Sequence, residues 1–144
     1  SVSDATYLIP GTPMPAGVIL QQSNSCLGMA LYRGRLYLAF GTIPLHYPWM
    51  SKHMLILSSP DCGQSWVREI ELWHRTDMRE PHFWVQNGQL FFSYFKPGTS
   101  PIPIEPHFAN HLRFRSQGNW EDLGKWGQDG EIPRQVGTHD GVAY

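Results

Sequence analysis

The sequence predicts an all-β protein, and three observations carry this prediction. Glycine and proline number 14 and 12 among 144 residues and show no three-residue period, which favours many turns between short elements over collagen or long helices. Three segments, 27–40, 81–95 and 134–144, each read as a strand, a glycine-centred turn and a second strand. Their turn glycines are separated by 54 and then 53 residues, so the organisation is also repetitive.

These three segments are predicted to be tight hairpins. Asn87-Gly88 and Asp140-Gly141 are favoured pairs for a two-residue turn, because that turn needs positive φ at both central residues, and Arg33-Gly34 is a weaker version. Alternation after the first turn gives two apolar faces, with Leu36, Leu38 and Phe40 on one and Tyr37 and Ala39 on the other. We therefore expect the hairpin strands to lie between two packed layers.

A second predicted strand pair follows each of the first two hairpins. It spans 54–57 and 66–72 in the first unit; in the second it spans 111–115 and a strand from Trp120. Trp66 and Trp120 are 54 residues apart, which matches the glycine interval. Four strands per unit of about 53 residues are typical of a β-propeller blade. The predicted boundaries are an N-terminal segment at 1–25, either an outer strand or a blade closure, blades at 26–76 and 77–130, and the start of a third blade at 131–144.

The length bears on whether such a ring can close. Four blades need roughly 212 residues, whereas 144 residues hold about 2.7 units. The remaining blades are expected from a longer parent chain, from other copies or from a second chain. We favour the parent chain, because the third unit stops within a strand and leaves unpaired edges. Light scattering of the isolated chain is then expected to show association.

Composition excludes several classes of function. Apolar residues make up 41% and aromatic residues 13%, which is enough for a core and excludes a wholly disordered chain. The sequence has 11 Lys and Arg and 12 Asp and Glu. It therefore has no excess of positive charge that would favour binding to nucleic acid or to an anionic membrane. No stretch approaches the roughly 20 apolar residues of a membrane span. No nucleotide-binding motif occurs, and no cofactor is expected.

Residues 59–66 fit the pattern Ser-x-Asp-x-Gly-x-x-Trp, through Ser59, Asp61, Gly63 and Trp66. This pattern resembles the Asp box of sialidase-like (neuraminidase, BNR-repeat) propellers. Its expected roles are structural. The Ser or Asp side chain accepts hydrogen bonds from nearby backbone N–H groups, Gly supplies a left-handed turn, and Trp anchors the loop in the blade. The second unit keeps Ser, Gly and Trp at 116–120, lacks the Asp and is one residue shorter.

Two further segments resemble bacterial sialidase-like repeat proteins. Residues 77–81 look like the Asp-x-Arg-Asp/Glu-Pro opening of an inner strand, and 131–144 look like a later strand opening with Pro133 where an aromatic is usual. In such propellers the first strand of each blade lines a central channel, and ligand binds at its open end. The resemblance therefore implies a set of substrate-binding candidates, namely Asp77, Arg79, Glu80, His82, Glu131 and Arg134.

The activity implied by this resemblance is that of a glycoside hydrolase acting on terminal sugars of glycans. Sialidases hold a substrate carboxylate with three arginines, and guanidinium suits that task because its fork meets a carboxylate bidentately. Here two arginines, Arg79 and Arg134, stand as candidates, and no nucleophile or acid/base is assigned. The alternative is a non-catalytic glycan- or protein-binding propeller segment, in which both arginines brace neighbouring blades through Glu80 and Glu131. The resemblance favours a secreted or periplasmic location.

Long loops, cysteines and histidines leave further alternatives open. The connections at 42–52 and 96–110 are long enough to form part of a site or to cover one. Two readings stay open for Tyr47 and Trp49 in the first connection: they stack on a sugar ring, or they pack against their own blade. Cys26 and Cys62 form neither a disulfide framework nor a zinc site, and one bridge between them stays open. His107 and His111 have the i, i+4 spacing of a metal-binding pair on a helix. Pro106 and the adjoining strand pattern argue against a helix there, so no metal is expected.

Overall fold

The computed structural model describes residues 7–8, 11–46, 50–100 and 108–144. Within these ranges the chain has ten strands and no helix, which confirms the predicted all-β class. None of the described residues belongs to a helix with the length and apolar character needed to span a lipid bilayer. Tyr47, Trp49 and His107 lie outside the described residues.

Two four-stranded antiparallel sheets and a short hairpin follow one another along the chain. The first sheet consists of β1 (Ser23–Tyr32), β2 (Arg35–Ile43), β3 (His53–Ser59) and β4 (Val67–Leu72) in that spatial order. The second consists of β5 (Asp77–Gln86), β6 (Gln89–Gly98), β7 (Phe108–Ser116) and β8 (Asn119–Trp126), also in sequence order. A third unit contributes β9 (Thr138–His139) paired with β10 (Val142–Ala143). Residues 11–22 form neither helix nor strand, and β1 begins inside the segment that the sequence assigned to the N-terminal region.

The three predicted hairpin turns have the predicted backbone conformation. Both central residues have positive φ in each turn: 49° and 75° at Arg33-Gly34, 51° and 72° at Asn87-Gly88, 48° and 77° at Asp140-Gly141. The turns also lie side by side. Tyr32 Oη donates to the Gly88 carbonyl at 2.9 Å, and Gln86 Nε2 donates to the Gly141 carbonyl at 2.7 Å. All three units therefore point their first turns toward the same end of the stack.

The stacking order is the same from unit to unit. β1 packs on β5 and β4 on β8, while β5 in turn contacts β9. The pairing of β1 with β2 shifts register between Ser25 and Gly28, and that of β5 with β6 shifts between Arg79 and His82. Within these bulges Cys26 and Glu80 both have positive φ, 57° and 50°. The two positions are 54 residues apart, so the repeat extends to the irregularities of the backbone.

The larger core lies between the first and second sheets. Its buried members come from both sheets and include Tyr37, Met54, Ile56, Met78, Leu90, Phe92, Tyr94 and Trp120. Gly28 lets the innermost strands come close, because a Cβ there would lie 2.3 Å from the Pro81 carbonyl oxygen. Close approach at the inner strands and a filled aromatic core behind them hold the sheets face to face.

The opposite face of the first sheet is covered only in part. A second core cluster contains Leu38, Phe40, Leu55, Leu57 and Trp66, and the N-terminal segment covers it with Leu8, Met14, Val18 and Leu20. This cover stops short of β1, where the apolar side chains on the same face are exposed. The expectation of two packed layers is therefore correct for β2, whose residues belong to both core clusters, whereas among the described residues the outer face of β1 is exposed at Leu27, Met29 and Leu31.

Candidate functional site

The substrate-binding candidates of the second unit lie where β5 begins, at the end of the sheets opposite to the hairpin turns. The starts of β1 and β5 meet there around a cavity of about 230 Å³. The cavity is lined by Ser25 and Cys26 of β1, His46 and Lys52 of the β2–β3 connection, Arg79 and Glu80 of β5, and Ile43. Two sheets thus contribute to one site, and the shared backbone bulge turns Cys26 and Glu80 toward it.

A buried ion pair forms the floor of this site. Lys52 Nζ lies 3.0 Å from Asp77 Oδ1, and the two side chains are 4% and 0% exposed. Asp77 Oδ2 accepts a hydrogen bond from Arg79 Nε, and Oδ1 also accepts one from the Met78 amide at 2.9 Å. Asp77 is therefore enclosed by its donors and does not line the cavity. Its role in this geometry is to orient Arg79, which is 40% exposed.

Glu80 and Arg134 link the second and third units. Arg134 Nη1 lies 3.8 Å from Glu80 Oε1, and the Arg134 side chain is 75% exposed. Glu80 lines the cavity with Arg79, whereas Arg134 approaches Glu80 from the side of the third unit. Glu131 does not belong to this group. Its Oε2 accepts a hydrogen bond from the Gln128 amide at 2.8 Å and so caps a turn. The two arginines thus meet different carboxylates, and they do not converge on one cavity.

His82 follows the bulge of β5. Its Nε2 is buried and has no hydrogen-bond partner among the described residues, and the same holds for Oγ of Ser93, the residue opposite on β6. Neither residue lines the cavity. His82 therefore stands beside the site as an unsatisfied buried group rather than as part of its wall.

The wall of the cavity places a donor next to an acceptor. Arg79 offers N–H groups, Glu80 offers carboxylate oxygens, and both are partly exposed. Lys52 and Arg79 are balanced by Asp77 and Glu80, so the charged groups sum to neutral. Such a pair suits a ligand with several hydroxyl groups, since adjacent hydroxyls need both a donor and an acceptor. Cys26 Sγ, 3.9 Å from Lys52 Nζ, adds a thiol to the same wall.

A second polar cluster lies on the β4–β5 connection and on β6. Tyr94 Oη and His74 Nε2 are hydrogen bonded at 2.7 Å, and Lys96 Nζ stands over the Tyr94 ring. Burial raises the pKa of the Tyr94 phenol. Burial, followed by the charge of Lys96, lowers the pKa of His74, and burial also lowers that of Lys96. Tyr94 is therefore a buried, protonated phenol and not an activated nucleophile.

The turn at residues 59–66 joins β3 to β4 at the end of the sheet opposite to the cavity. Ser59 Oγ accepts the Gly63 amide at 2.7 Å, and Asp61 Oδ1 accepts the Ser65 amide at 2.8 Å. The hydrogen bonds from Ser65 are the main cause that lowers the pKa of Asp61 to about 2. Gly63 has φ of 92°, and Trp66 is buried in the second core cluster. These contacts define the turn and engage both oxygens of the Asp61 carboxylate, so the motif residues have a structural role here.

The shortened turn of the second unit compensates for its missing aspartate. The Gly118 amide donates to Glu69 Oε2 at 2.7 Å, and Glu69 is a buried residue of the first sheet. Glu69 Oε1 also accepts a hydrogen bond from the Ser58 hydroxyl. Ser58 Oγ in turn accepts a hydrogen bond from Arg35 Nη2 at 2.8 Å. A carboxylate from the neighbouring sheet thus caps the turn and ties the two outer strands together. The motif alone could not point to Glu69, because it comes from another unit.

Both cysteines are free thiols, Cys26 in the cavity wall and Cys62 exposed in the turn at 59–66 at the other end of the sheet. Among the residues that the structure describes, no three His, Cys, Asp or Glu side chains are grouped to hold a metal ion. No protein-family profile matches this chain, and no curated protein matches it at significant similarity.

Proposed function

We propose that the chain is part of a sialidase-like β-propeller and that the cavity between β1 and β5 binds a terminal sugar of a glycan substrate. The observation that carries this proposal is the pair Arg79 and Glu80, two partly exposed groups of opposite charge that share one cavity at the open end of equivalent strands. The enzyme class proposed is a glycoside hydrolase.

The stacking of the units supports the propeller. Contact between the sheets is most extensive at the inner strands β1 and β5 and sparse at the outer strands β4 and β8. This gradient is expected when sheets fan out from an axis, as blades do. The third unit adds a further layer in the same direction, since β5 contacts β9, whereas a two-layer sandwich would leave that face of β5 open.

Each group then has a distinct role. Arg79 would donate paired hydrogen bonds to a sugar carboxylate or to neighbouring hydroxyls, and Glu80 would accept from hydroxyls. Asp77, held by Lys52, would keep the Arg79 guanidinium in place. A glycosidase also needs a pair of catalytic groups across the scissile bond. Asp77 and Tyr94 are both enclosed, so the proposal assigns that pair to other parts of the propeller.

A second candidate, non-catalytic binding, is favoured by one specific observation. Glu80 is paired with Arg134 of the third unit, which is the contact expected of a structural tie between neighbouring units. In that case the cavity still recognises a glycan or a protein segment, and no hydrolysis follows.

The test is to measure both hydrolysis and binding with the same sugars. The full-length parent propeller is assayed with a panel of aryl glycosides, neutral and acidic, for release of the aryl group, because the proposed catalytic pair lies in other parts of the propeller. Binding of the corresponding free sugars to the same protein is measured by calorimetry. Arg79→Ala is expected to abolish both signals, and Arg79→Lys to recover little, because lysine lacks the planar fork. Arg113→Ala is the matched control, since it removes an arginine paired with Glu121 on the outer strands of the second sheet.

The outcomes separate the two candidates. Hydrolysis that depends on Arg79 supports the glycoside hydrolase, and Arg79-dependent binding without hydrolysis supports the second candidate. Neither binding nor hydrolysis, or equal effects of Arg79→Ala and Arg113→Ala, would overturn the assignment of the cavity to a sugar.

A further inference from the structure

The ammonium and guanidinium groups that line the cavity between β1 and β5 are already paired with a carboxylate. Lys52 Nζ lies 3.0 Å from Asp77 Oδ1, and Arg79 Nε donates a hydrogen bond to Asp77 Oδ2. Asp77 is 0% exposed, so a ligand cannot displace water from it. Because the Nε–H of Arg79 is engaged in this way, its Nη groups are the donors that face a ligand.

Glu80 brings a second carboxylate to the same cavity. It follows Arg79 directly in β5, lines the cavity beside it and is 33% exposed. Two cations and two carboxylates therefore stand around the cavity, and their formal charges cancel. A ligand carboxylate placed beside Arg79 also lies beside Glu80, so repulsion by one neighbour offsets attraction by the other.

Arg134 adds little positive charge to this cavity. Its Nη1 lies 3.8 Å from Glu80 Oε1, close to the largest separation of an ion pair, and its side chain is 75% exposed. Water and salt screen a charge in such a position, and ion pairs this exposed contribute little. Arg134 is also absent from the lining of the cavity.

The cavity has the size and the polar groups to hold one sugar ring. Its volume of about 230 Å³ is below the roughly 300–1,000 Å³ of pockets that enclose drug-sized ligands. Neighbouring hydroxyls of a pyranose ring both donate and accept hydrogen bonds, and they can use the Nη groups of Arg79 together with the carboxylate of Glu80. An ionised carboxylate only accepts, so it can use Arg79 but not Glu80.

We infer that this cavity selects a neutral pyranose over a sugar that carries a carboxylate, and that Glu80 is the residue that determines the preference. The preference rests on the proposed sugar site, whose substrate class it specifies, and it is the same whether or not hydrolysis follows binding. Glu80 accepts hydrogen bonds from the hydroxyls of a neutral sugar and repels the negative charge of an acidic one.

The test compares sugars that differ in a single group. Galactose and galacturonic acid, like glucose and glucuronic acid, differ only at C6, which is a hydroxymethyl group in the first and a carboxylate in the second. Binding of their methyl glycosides and of N-acetylneuraminic acid to the full-length parent propeller is measured by calorimetry at pH 8, where histidine side chains ordinarily carry no charge. Binding is assigned to this cavity where Arg79→Ala abolishes it. The neutral sugar should bind about tenfold more tightly than its acidic counterpart.

The decisive variant is Glu80→Gln, which removes the charge and keeps an oxygen that accepts hydrogen bonds. It should lower the ratio of neutral to acidic affinity by about tenfold, chiefly through tighter binding of the acidic sugar. The matched control is Glu121→Gln, since Glu121 pairs with Arg113 and Arg115 on the outer strands of the second sheet and should not affect this ratio. Arg134→Ala should leave the preference for the neutral sugar in place. Near-ultraviolet circular dichroism checks that each variant keeps its packed aromatic core.

The outcomes distinguish this inference from the proposed function. An acidic sugar that binds as tightly as its neutral counterpart, or N-acetylneuraminic acid that binds more tightly than every neutral sugar, would overturn the inference and leave the sugar site standing. So would an unchanged affinity ratio in Glu80→Gln, or loss of the preference in Arg134→Ala. Failure of every sugar in the panel to bind would instead overturn the sugar site, and the preference with it.

Discussion

Substitution of Lys52 by methionine tests the ion pair beneath the cavity. Lys52 and Asp77 are almost wholly buried, and Lys52 directly precedes β3 of the first sheet while Asp77 begins the second. Loss of one partner from a buried pair costs about 3–5 kcal/mol, because the remaining charge stays desolvated. Arg79 and the Met78 amide continue to hydrogen bond to Asp77, so we expect the lower end, about 3 kcal/mol. At about 2–4 °C per kcal/mol for a chain near this size, Tm falls by about 6–12 °C.

Urea unfolding followed by tryptophan fluorescence measures this loss, with Asp77→Asn and the double variant completing a cycle. The double variant is expected to lose less stability than the two single losses combined, because it leaves no buried charge without its partner. Arg113→Met is the matched control: Arg113 and Glu121 are each about one-third exposed, so its loss should stay below about 1 kcal/mol. A Lys52→Met loss no larger than that of the control, or strictly additive effects in the cycle, would refute the reasoning.

Three further substitutions test the packing and the second polar cluster by the same unfolding assay. Gly28→Ala should cost about 1–3 kcal/mol, because the added Cβ meets the facing strand, whereas Gly137→Ala, with open space around it, should cost little. Trp66→Ala should cost about 3–5 kcal/mol through loss of its buried ring, and the same change at the half-exposed Trp73 should cost clearly less. The pKa of His74 lies below its ordinary 6.5 in the folded chain, so its contribution to stability is complete above pH 6.5 and is lost as pH falls through the lower folded value. His74→Gln should therefore flatten the decline in stability between pH 7 and pH 5, and an unchanged slope would contradict the assignment.

The hairpins were the part of the fold most accessible from sequence. A two-residue turn is a local property of its central pair, and the glycines at 34, 88 and 141 supply the positive φ that the turn needs. The fixed interval between them also anticipated that the units are alike. Cover of a strand face is different, because it depends on what lies outside the strand. The alternation in β2 predicted its two apolar faces, yet it carried no information on which residues pack against each of them.

The site divides in the same way between local and distant information. Arg79 and Glu80 could be singled out because they follow one another in a recognisable segment. Lys52 comes from the other sheet, as the last residue of a long connection, and no local pattern distinguishes it from a surface lysine. Glu69 escaped prediction for the same reason, since the turn that it caps lies 49 residues further along the chain.

One signal in the sequence could have found Cys26. Positions 26 and 80 stand at the same distance before their turn glycines, Gly34 and Gly88, and hold a cysteine and a glutamate, whereas the equivalent position of the third unit is Pro133. The bulge that turns Cys26 toward the cavity is the bulge that turns Glu80 toward it, and Glu80 in turn contacts Arg134. The repeat thus sets the backbone at this position in both four-stranded sheets, and the residue type there decides which side chain borders the cavity, a thiol from β1 and a carboxylate from β5.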